Sequence, residues 1–191
     1  LACAQLFIQE GAQVILFGRS NKSLDKAVTD LGDDAISVCG DITKKNDVQT
    51  LVEIALERFG VVDILINNAG TFSASPFHQI SEEQWDYLLN VNLRGVFLLT
   101  REVIPNMLQS GNGNIINISS ILSLVAASEF SAYNVSKGAL NQFTRSIAVE
   151  YGGRGVRCNA VCPGLIETEM TADLMANKEL MEEWIKNYPT L

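Results

Sequence analysis

The sequence has little of what several common enzyme and binding classes require. Its 191 residues include one histidine, His78, so a Ser-His-acid hydrolase or a histidine-based metal site has nothing to rest on. No cluster of Lys and Arg appears and the net charge is −8, which argues against a broad nucleic-acid surface. No apolar run reaches the roughly 18 residues that would span a bilayer. With an apolar fraction of 47%, these absences favour one soluble globular domain over residues 1–191.

Cysteine usage adds a further exclusion. Cys3, Cys39, Cys158 and Cys162 lack the paired spacing of a zinc site. The last two lie in an apolar segment typical of a buried strand, so we interpret these cysteines as free core thiols. The N-terminus has neither the basic start nor the small-residue cleavage site of a secretory signal. We therefore expect a reducing, cytoplasmic location, with no membrane and no nucleic acid as partner.

Short apolar runs alternate with longer segments of helical period. The runs are rich in β-branched residues and bounded by Gly, Asp or Asn, as in strands covered on both faces. They cover 14–17, 35–39, 63–67, 114–119 and 156–162, and the helical segments cover 21–31, 45–59, 82–109 and 131–151. This alternation predicts right-handed βαβ units and an α/β fold, with three layers built around a doubly wound parallel sheet.

The two ends predict a piece of a longer fold. Residues 1–10 have the pattern of a helix with no cap before it, whereas a doubly wound fold starts with a strand and a Gly-rich turn. A second helical pattern, over 173–187, is followed by Tyr-Pro-Thr-Leu and by no closing strand. We expect the first strand with its glycine turn, and the last strand, to be missing from this chain.

Small and polar residues follow each predicted strand. In open α/β sheets, ligands bind beyond the carboxyl ends of the strands, so these residues are candidates for a site. Asn67-Asn68-Ala69-Gly70 is the strongest, because two amides and two tiny residues let another molecule approach the backbone closely. The others are Gly18-Arg19, Asp41, Ser119-Ser120 and Pro163-Gly164. Taken singly, each is also what an ordinary turn after a strand contains.

Tyr133 and Lys137 lie four residues apart on the last long helical segment, so they share one face. Ser120 precedes Tyr133 by thirteen residues, at the end of a predicted strand. An unperturbed tyrosine titrates near about 10; a nearby ammonium, or a cationic ligand ring, favours the phenolate, as a general acid/base requires. Ser120 would hydrogen-bond the reacting oxygen. The spacing alone equally suits a half-exposed Tyr lying along a Lys stem.

Taken together, these motifs resemble those of the classical short-chain dehydrogenase/reductases. The shared features are Tyr133-x-x-x-Lys137 with Ser120 upstream, Asn67-Asn68-Ala69-Gly70, Asn92 in NVNLRG, and Pro163-Gly164 with Thr168. The resemblance covers nearly the whole chain. It implies a Rossmann-type fold, a nicotinamide dinucleotide cofactor, and hydride transfer between C4 of the nicotinamide and the carbon of a carbonyl or secondary alcohol.

The resemblance also implies roles for individual residues. Tyr133 would be the acid/base and Ser120 would steady the substrate oxygen. Lys137 would bind the nicotinamide ribose and lower the tyrosine pKa, while Asn92 would hold a water that links Lys137 to solvent. The implied cofactor contacts are Asn68, Ala69 and Gly70 on the adenosine side, Asp41 at the adenine, and Ile166 and Thr168 at the carboxamide, with Ile42, Pro163 and Gly164 as further cofactor-binding residues. Helices 82–109 and 131–151 would pair with a second subunit in a homodimer or homotetramer.

The end of the first predicted strand bears on cofactor choice. An acid at this position accepts hydrogen bonds from the ribose of NAD and repels a 2′-phosphate. Here the position holds Gly18, followed by Arg19 and Ser20. A missing carboxylate and a nearby guanidinium favour NADP(H) over NAD(H), because Arg binds phosphate in a fork geometry. The alternative is that Arg19 is a solvated turn residue.

Residues 165–191 are expected to form a flap over the substrate. Its lining candidates are Met170, Leu174, Met175, Leu180, Met181 and Trp184, and the opposite wall would hold Phe72, Leu122, Val125 and Phe130. Ordinary helix packing is the alternative explanation for each of them. An apolar pocket suits a ketone or alcohol of moderate size, such as a 3-oxoacyl thioester, a steroid, a sugar or a xenobiotic carbonyl.

Two other functions fit part of the pattern. A sugar epimerase or dehydratase uses a similar fold, although those enzymes usually carry a substrate domain for which this chain has no room. A catalytically inactive dinucleotide-binding sensor or scaffold would keep the sheet. Such a protein would be expected to lack one of Ser120, Tyr133, Lys137 or Asn92, and all four are present.

Overall fold

Helices and strands alternate along the chain in the computed structural model, which describes residues 1–168, 171–178 and 181–182. In chain order the elements are α1 (Ala2–Gln9), β1 (Val14–Gly18), α2 (Asn21–Leu31), β2 (Ala35–Cys39), α3 (Lys45–Phe59), β3 (Ile64–Asn67), α4 (Glu82–Leu89), a π-helix (Asn90–Gly95), α5 (Val96–Ser110), β4 (Gly113–Ile118), α6 (Ser131–Tyr151), β5 (Val156–Val161) and α7 (Ala172–Ala176). Short 3₁₀ turns cover Phe77–Gln79, Ile121–Ser123 and Gly152–Arg154.

All five strands run parallel to their neighbours. β1 pairs with β2, with Val14 opposite Ala35, and β3, β4 and β5 form a second sheet in that order. One buried apolar cluster connects the two sheets and includes Val38 of β2, Leu65 of β3 and Ile115 of β4. The predicted α/β fold with parallel strands is confirmed. Within the described residues its strands form two sheets rather than one, because β1 and β3 are not hydrogen-bonded neighbours.

The apolar faces of the helices close this core. α3 packs along α5, and α6 packs on β5 and on the π-helix, while α1 and α2 pack beside β1. Val48 of α3, Met107 of α5 and Val156 of β5 have no exposed surface. Burying such a side chain contributes about 1.5–3 kcal/mol. The carboxyl ends of the strands are therefore held on a rigid base.

The boundaries of the elements agree closely with the sequence patterns. Each strand starts and ends within one residue of its predicted limits. Ser81 caps α4 through a reciprocal pair of bonds, in which its hydroxyl accepts from the Gln84 amide and the Gln84 side chain accepts from the Ser81 amide. Gly60 ends α3 with a φ of 75°, a left-handed conformation that glycine adopts without strain.

The helix predicted over 82–109 is interrupted. It is present as α4, the π-helix and α5, which ends at Ser110. A π-turn admits one extra residue and is found mostly at functional sites. The fully buried Asn92 lies in this turn, and the hydrogen bonds of its side chain offset the looser backbone geometry. Only part of the helix predicted over 173–187 falls within the described residues, where α7 begins it.

The prediction of core thiols is right for Cys158 only. Cys158 is buried in β5, whereas Cys162 is half-buried just after that strand, and Cys3 and Cys39 are exposed. Cys39 is the last residue of β2, where the side chain points away from the core cluster. All four cysteines are free. Across the described ranges, no helix combines the length and the hydrophobicity that a membrane span requires.

Candidate active site

A hydroxyl, a phenol and an amine meet beyond the carboxyl end of β4. Ser120 follows that strand, and α6 places Tyr133 in its first turn and Lys137 one turn later. The Ser120 hydroxyl lies close enough to the Tyr133 phenol to lower the pKa of that phenol. Nζ of Lys137 lies 5.7 Å from the centroid of the Tyr133 ring. The structure thus brings together three of the four residues to which the resemblance assigns catalysis.

Ser120 is held by its own loop. Its side chain is buried, and Oγ accepts a hydrogen bond from the Leu122 amide at 3.1 Å. The Ser123 hydroxyl donates to the Ser120 carbonyl at 2.5 Å and accepts from Nδ2 of Asn141 on α6 at 2.6 Å. The loop is therefore tied to the helix that carries the tyrosine, so the serine and the phenol keep a fixed separation.

Tyr133 is largely buried, and this burial raises the pKa of its phenol above the usual value, while the Ser120 hydroxyl offsets part of the rise. The pKa thus moves opposite to the lowering expected from Lys137, which is not among the groups that shift it. The physical reason is that desolvation penalises the phenolate more than its neighbours stabilise it. The phenol is consequently a proton donor at neutral pH.

Lys137 is 4% exposed and donates from Nζ to the carbonyl of Ile118 at 2.7 Å. Burial lowers the pKa of this amine to about 8, with the nearby Cys162 opposing the shift. A lysine usually titrates near 10.4, so the ammonium here loses its proton much more readily. The amine can therefore exchange a proton within the physiological range.

Asn92 connects the π-helix to two other parts of the site. Its Oδ1 accepts from the Thr71 amide at 2.8 Å, and its Nδ2 donates to the Thr71 carbonyl at 2.8 Å and to Oγ of Ser136 at 3.0 Å. Ser136 in turn donates to the carbonyl of Tyr133 at 2.8 Å. The side chain of Asn92 thus holds the loop after β3 against α6. Its predicted water remains a prediction.

The sequence analysis did not predict a chain of hydrogen bonds between buried polar side chains beneath the site. Nδ2 of Asn67 donates to Oγ1 of Thr100 at 3.1 Å and to Oδ1 of Asn117 at 2.8 Å. Nδ2 of Asn117 donates to Oγ1 of Thr144 at 2.8 Å. These four residues join α5, β3, β4 and α6. Asn67 is therefore a structural residue rather than part of the ligand approach proposed for Asn67-Asn68-Ala69-Gly70. The sequence feature that could have indicated this chain of hydrogen bonds was a polar residue inside each of two apolar strands.

The other three residues of the Asn67-Asn68-Ala69-Gly70 motif lie at the surface, on the side that a ligand could reach. Asn68 and Ala69 are exposed and Gly70 is half-buried. A Cβ added to Gly70 would lie 3.5 Å from Oδ1 of Asn92 and 3.7 Å from Nζ of Lys137. The loop therefore passes directly beside Asn92 and Lys137, two of the candidate catalytic residues, with its backbone uncovered, which suits the close approach of a dinucleotide.

The carboxyl ends of β1 and β2 form the other half of the candidate site. Gly18 ends β1, and the exposed Arg19 donates from Nη1 to the Tyr87 hydroxyl at 3.3 Å. The Ser20 hydroxyl accepts from the Ser23 amide at 3.2 Å and so caps α2. No carboxylate occupies the three positions 18–20. A 2′-phosphate could be met there by the Arg19 guanidinium.

Asp41 follows β2 and shapes a tight turn. Its Oδ1 accepts from the amide and the hydroxyl of Thr43 at 2.9 and 2.8 Å. These bonds, led by the amide of Thr43, lower the pKa of the Asp41 carboxyl, and the charges of Arg19 and Lys44 add to the effect. The side chain of Ile42, also predicted to bind the cofactor, is instead buried in the core. Any contact from Ile42 to a cofactor must come from its backbone.

The segment after β5 reaches the site in part. The carbonyl of Pro163 accepts from the Ile121 amide at 2.8 Å, which places Pro163 beside the Ser120 loop, and Gly164 follows it. Ile166 and Thr168 are exposed, and both are bonded within a turn closed by Thr171. Their predicted contact with a carboxamide remains a prediction.

An aromatic cluster borders the phenol. Phe72 lies with its ring centroid 5.9 Å from that of Phe130 and 6.2 Å from that of Tyr133. Leu122 and Phe130 are buried, and the side chains packed on them include Phe72, Tyr133, Leu165 and Leu174. Leu174 of α7 therefore touches the predicted wall directly.

Other predicted lining residues have different positions. Val125 is 44% exposed and does not join this cluster, because its loop turns outward after Leu122. Met175 and Met181 are half-buried. Met170, Leu180 and Trp184 lie outside the described residues.

Known proteins resemble this chain in sequence and in fold. The sequence profile of the family described as short chain dehydrogenase matches residues 1–179. The 2-(R)-hydroxypropyl-CoM dehydrogenase of Xanthobacter autotrophicus (strain Py2) is 40% identical, over 99% of this chain and 78% of that protein. Two crystal structures superpose closely. The 3-ketoacyl-(acyl-carrier-protein) reductase of Brucella melitensis, complexed with NADH, has a TM-score of 0.86 and 33% identity, over 88% of this chain and 71% of that one.

The second crystal structure is a gluconate 5-dehydrogenase from Burkholderia cenocepacia in complex with NADP and tartrate. Its TM-score is 0.85 at 29% identity, over 93% of this chain and 71% of that one. The family profile, which matches residues 1–179, covers the elements that carry Ser120, Tyr133 and Lys137. On the family profile, the identity to its members and the shared fold, this chain belongs to the short-chain dehydrogenase/reductase family and is an oxidoreductase of the classical type.

Proposed function

We propose that this chain transfers a hydride between NADP(H) and a ketone or secondary alcohol of moderate size, with Tyr133 as the acid/base. The single observation that carries the proposal is the placement of the Ser120 hydroxyl beside the Tyr133 phenol, with the buried amine of Lys137 5.7 Å from the centroid of the phenol ring. A buried phenol paired with a hydroxyl is suited to hold a carbonyl oxygen and to donate a proton to it.

Each residue of the chain has a defined task in this proposal. A bound nicotinamide ring supplies or accepts the hydride. Ser120 donates a hydrogen bond to the substrate oxygen and Tyr133 gives that oxygen its proton. Lys137 binds the cofactor ribose and returns a proton toward the phenol. Asn92 keeps the Thr71 loop and α6 in register through the three bonds of its amide.

The protonation states favour carbonyl reduction at neutral pH. Burial raises the pKa of Tyr133, so the phenol carries its proton. Alcohol oxidation needs the phenolate and should therefore accelerate as the pH rises. Lys137, with a pKa of about 8, remains largely an ammonium at neutral pH and can resupply the proton.

The cofactor preference rests on the ends of β1 and β2. Gly18 leaves room where an acid would bind the ribose of NAD, and the Arg19 guanidinium is exposed beside it. Arg19 is also close enough to Asp41 to lower the pKa of that carboxyl. These features support NADP(H). Known relatives of this fold bind either form, since one structure holds NADH and another NADP.

The substrate site is proposed to lie over the aromatic cluster. Phe72 and Leu174, which pack on the buried Phe130, supply an apolar surface next to the phenol. Such a surface suits a small-molecule ketone or alcohol with an apolar body, such as a 3-oxoacyl thioester. A cytoplasmic location remains a prediction from the sequence.

Assembly through α4, α5 and α6 is part of the proposal. Phe97 is 42% exposed and Val149 is 86% exposed, which places apolar side chains on the outer faces of α5 and α6. A groove lies between these helices, lined by Leu89, Leu93, Phe97 and Phe143 among others. Exposed apolar surfaces of this kind often mark interfaces. Light scattering should report a dimer or tetramer, and Phe97→Glu should shift it toward monomer.

A panel of carbonyl compounds tests the central part of the proposal. The chain is incubated with each carbonyl and NADPH, and the absorbance of the reduced nicotinamide is followed. Turnover of an apolar ketone that is abolished by Tyr133→Phe, with cofactor binding retained, supports the assignment. Unchanged turnover in Tyr133→Phe refutes it, and binding of NADPH without any turnover across the panel would favour a sensor.

A further inference from the structure

The π-helix contacts two loops that the proposed function assigns to the cofactor. On one side Asn92 holds the backbone of Thr71, after β3. On the other side Nη1 of Arg94 donates to the carbonyl of Thr43, after β2, at 2.8 Å. This second bond joins residues 51 positions apart. One turn of helix therefore fixes loops that follow two different strands.

Gly95 brings the second loop close. A Cβ added there would lie 2.8 Å from Cγ1 of Ile42 and 3.2 Å from the Ile42 carbonyl oxygen. These separations are shorter than ordinary van der Waals contact, so only glycine lets the Ile42 backbone rest against the π-helix without displacement. The contact sets the distance across which Arg94 reaches Thr43.

Ile42 anchors this turn in the core, but the other hydrogen bonds of the turn among the described residues come from within its own segment. Asp41 accepts from Thr43 through its side chain and from the Lys44 amide through its carbonyl, and its own amide donates to Asp47 at 2.8 Å. All of these partners lie within residues 41–47. The bond from Arg94 is a charge-assisted hydrogen bond from a separate element, and such bonds are about twice as strong as neutral ones.

We propose that Arg94 is a positioning residue for the adenine half of the cofactor. This inference rests on the proposed function and on the family resemblance, which implies that Asp41 lies at the adenine. Arg94 fixes the 41–44 turn from the side of the π-helix and does not itself touch the cofactor. The same π-helix that holds the catalytic side of the site through Asn92 thereby sets the position of the adenosine side through Arg94.

The test compares Arg94→Met, Arg94→Lys and Arg101→Met. Arg101 is a matched control because it is an exposed arginine on the adjoining α5 that pairs with its neighbour Glu102 at 2.8 Å. Two probes divide the cofactor: 5′-AMP carries the adenosine half, and reduced nicotinamide mononucleotide carries the other half. Their affinities are measured by calorimetric titration, and amide hydrogen exchange is followed in the chain without ligand.

We expect Arg94→Met to weaken 5′-AMP roughly fivefold, the scale of one hydrogen bond, and to leave the mononucleotide unchanged. Exchange of the Thr43 and Lys44 amides should accelerate while that of Thr71 stays the same. Arg94→Lys should recover most of the loss, because an ammonium can also donate to the carbonyl, and Arg101→Met should behave as the unaltered chain.

The inference is overturned if Arg94→Met binds 5′-AMP as well as the unaltered chain does, or if both probes weaken together, which would indicate a general structural role. It is also overturned if exchange at Thr43 and Lys44 does not change. None of these readouts needs turnover. A chain that turns over no carbonyl but loses 5′-AMP affinity in Arg94→Met contradicts the proposed reaction and supports the role of Arg94.

Discussion

The two ends of the candidate site differ in how firmly they are held. At the α6 end, Ser120 and Lys137 are buried and Tyr133 is largely so, and each is bonded to the loop or backbone around it. At the β1 end, Arg19 is exposed and its side chain is held by one bond of 3.3 Å to Tyr87. The buried end carries the proposed chemistry and the exposed end the proposed choice of cofactor.

This difference has a physical consequence for substitutions. A buried polar group that loses its partner costs about 1–3 kcal/mol, so changes at the α6 end should affect both activity and stability. An exposed side chain held by one long bond contributes little to folding. Changes at the β1 end should therefore alter selectivity and leave the fold intact. The following experiments are ordered by expected size.

The largest effect should come from Tyr133→Phe. The substitution removes the proton donor and keeps the ring that packs against Phe72. We expect kcat for carbonyl reduction to fall by about 10²–10⁴, the usual contribution of a general acid, with cofactor affinity within twofold of the unaltered chain. A loss of cofactor affinity as large as the loss of kcat would show instead that the two ends of the site are not separable.

Lys137 should give the next effect, through pH. Its pKa is about 8 in the folded chain against 10.5 for an unperturbed amine, so between these values the unfolded chain binds more protons than the folded one. By linkage, the free energy of unfolding then rises with pH across this window, and the destabilisation caused by the buried charge is fully present below about pH 8.

Chemical denaturation on both sides of pH 8 measures this effect. Lys137→Met should remove the rise in stability and also lower kcat by about 10² or more. In the unaltered chain, reduction should slow above pH 8 as the ammonium is lost. A stability profile that is the same in Lys137→Met as in the unaltered chain would contradict the buried-charge explanation.

The buried amide chain beneath the site should have an intermediate effect, and on stability rather than on chemistry. Asn117→Ala leaves Nδ2 of Asn67 and Oγ1 of Thr144 short of a partner, at a cost of about 1–3 kcal/mol in the free energy of unfolding. Asn114→Ala is the control in the same strand, because Oδ1 of Asn114 is buried with no hydrogen-bond partner among the described residues. Equal losses in both variants, measured by urea unfolding, would argue against a stabilising chain.

Arg19→Ala should have the smallest effect. We expect kcat/KM with NADPH to fall about tenfold, the scale of one charge-assisted hydrogen bond, and kcat/KM with NADH to stay the same. Tyr87→Phe is the control, because it removes the bond to Arg19 and keeps the guanidinium. A parallel fall with both cofactors in Arg19→Ala would assign Arg19 a role outside phosphate selection.

The sequence patterns predicted the elements well because their signals are local. Apolar runs bounded by small residues gave the strands, and Ser81 and Gly60 mark helix ends by capping chemistry that depends on a few neighbouring residues. The spacing of Tyr133 and Lys137 placed both on one helix face for the same reason. That Tyr133 and Lys137 lie close to Ser120 depends on the tertiary fold, and it was predicted only through the resemblance of the motifs to a known family.

Features that depend on the packed interior were not predictable from local patterns. The π-helix exists in a segment with ordinary helical periodicity, and it is accompanied by bonds from Asn92 to a loop twenty-one residues earlier. The pKa of Tyr133 moves opposite to the prediction because burial, which no spacing reveals, raises it more than the Ser120 hydroxyl lowers it. Asn67 and Ile42 belong to the interior although their neighbours in sequence face the site.

The most direct test measures kcat/KM for reduction of one ketone with NADPH and with NADH in the unaltered chain, Tyr133→Phe and Arg19→Ala. The account predicts that Tyr133→Phe loses activity with both cofactors to the same degree, and that Arg19→Ala loses it with NADPH alone. Retained turnover in Tyr133→Phe would contradict the central claim that the buried phenol passes the proton.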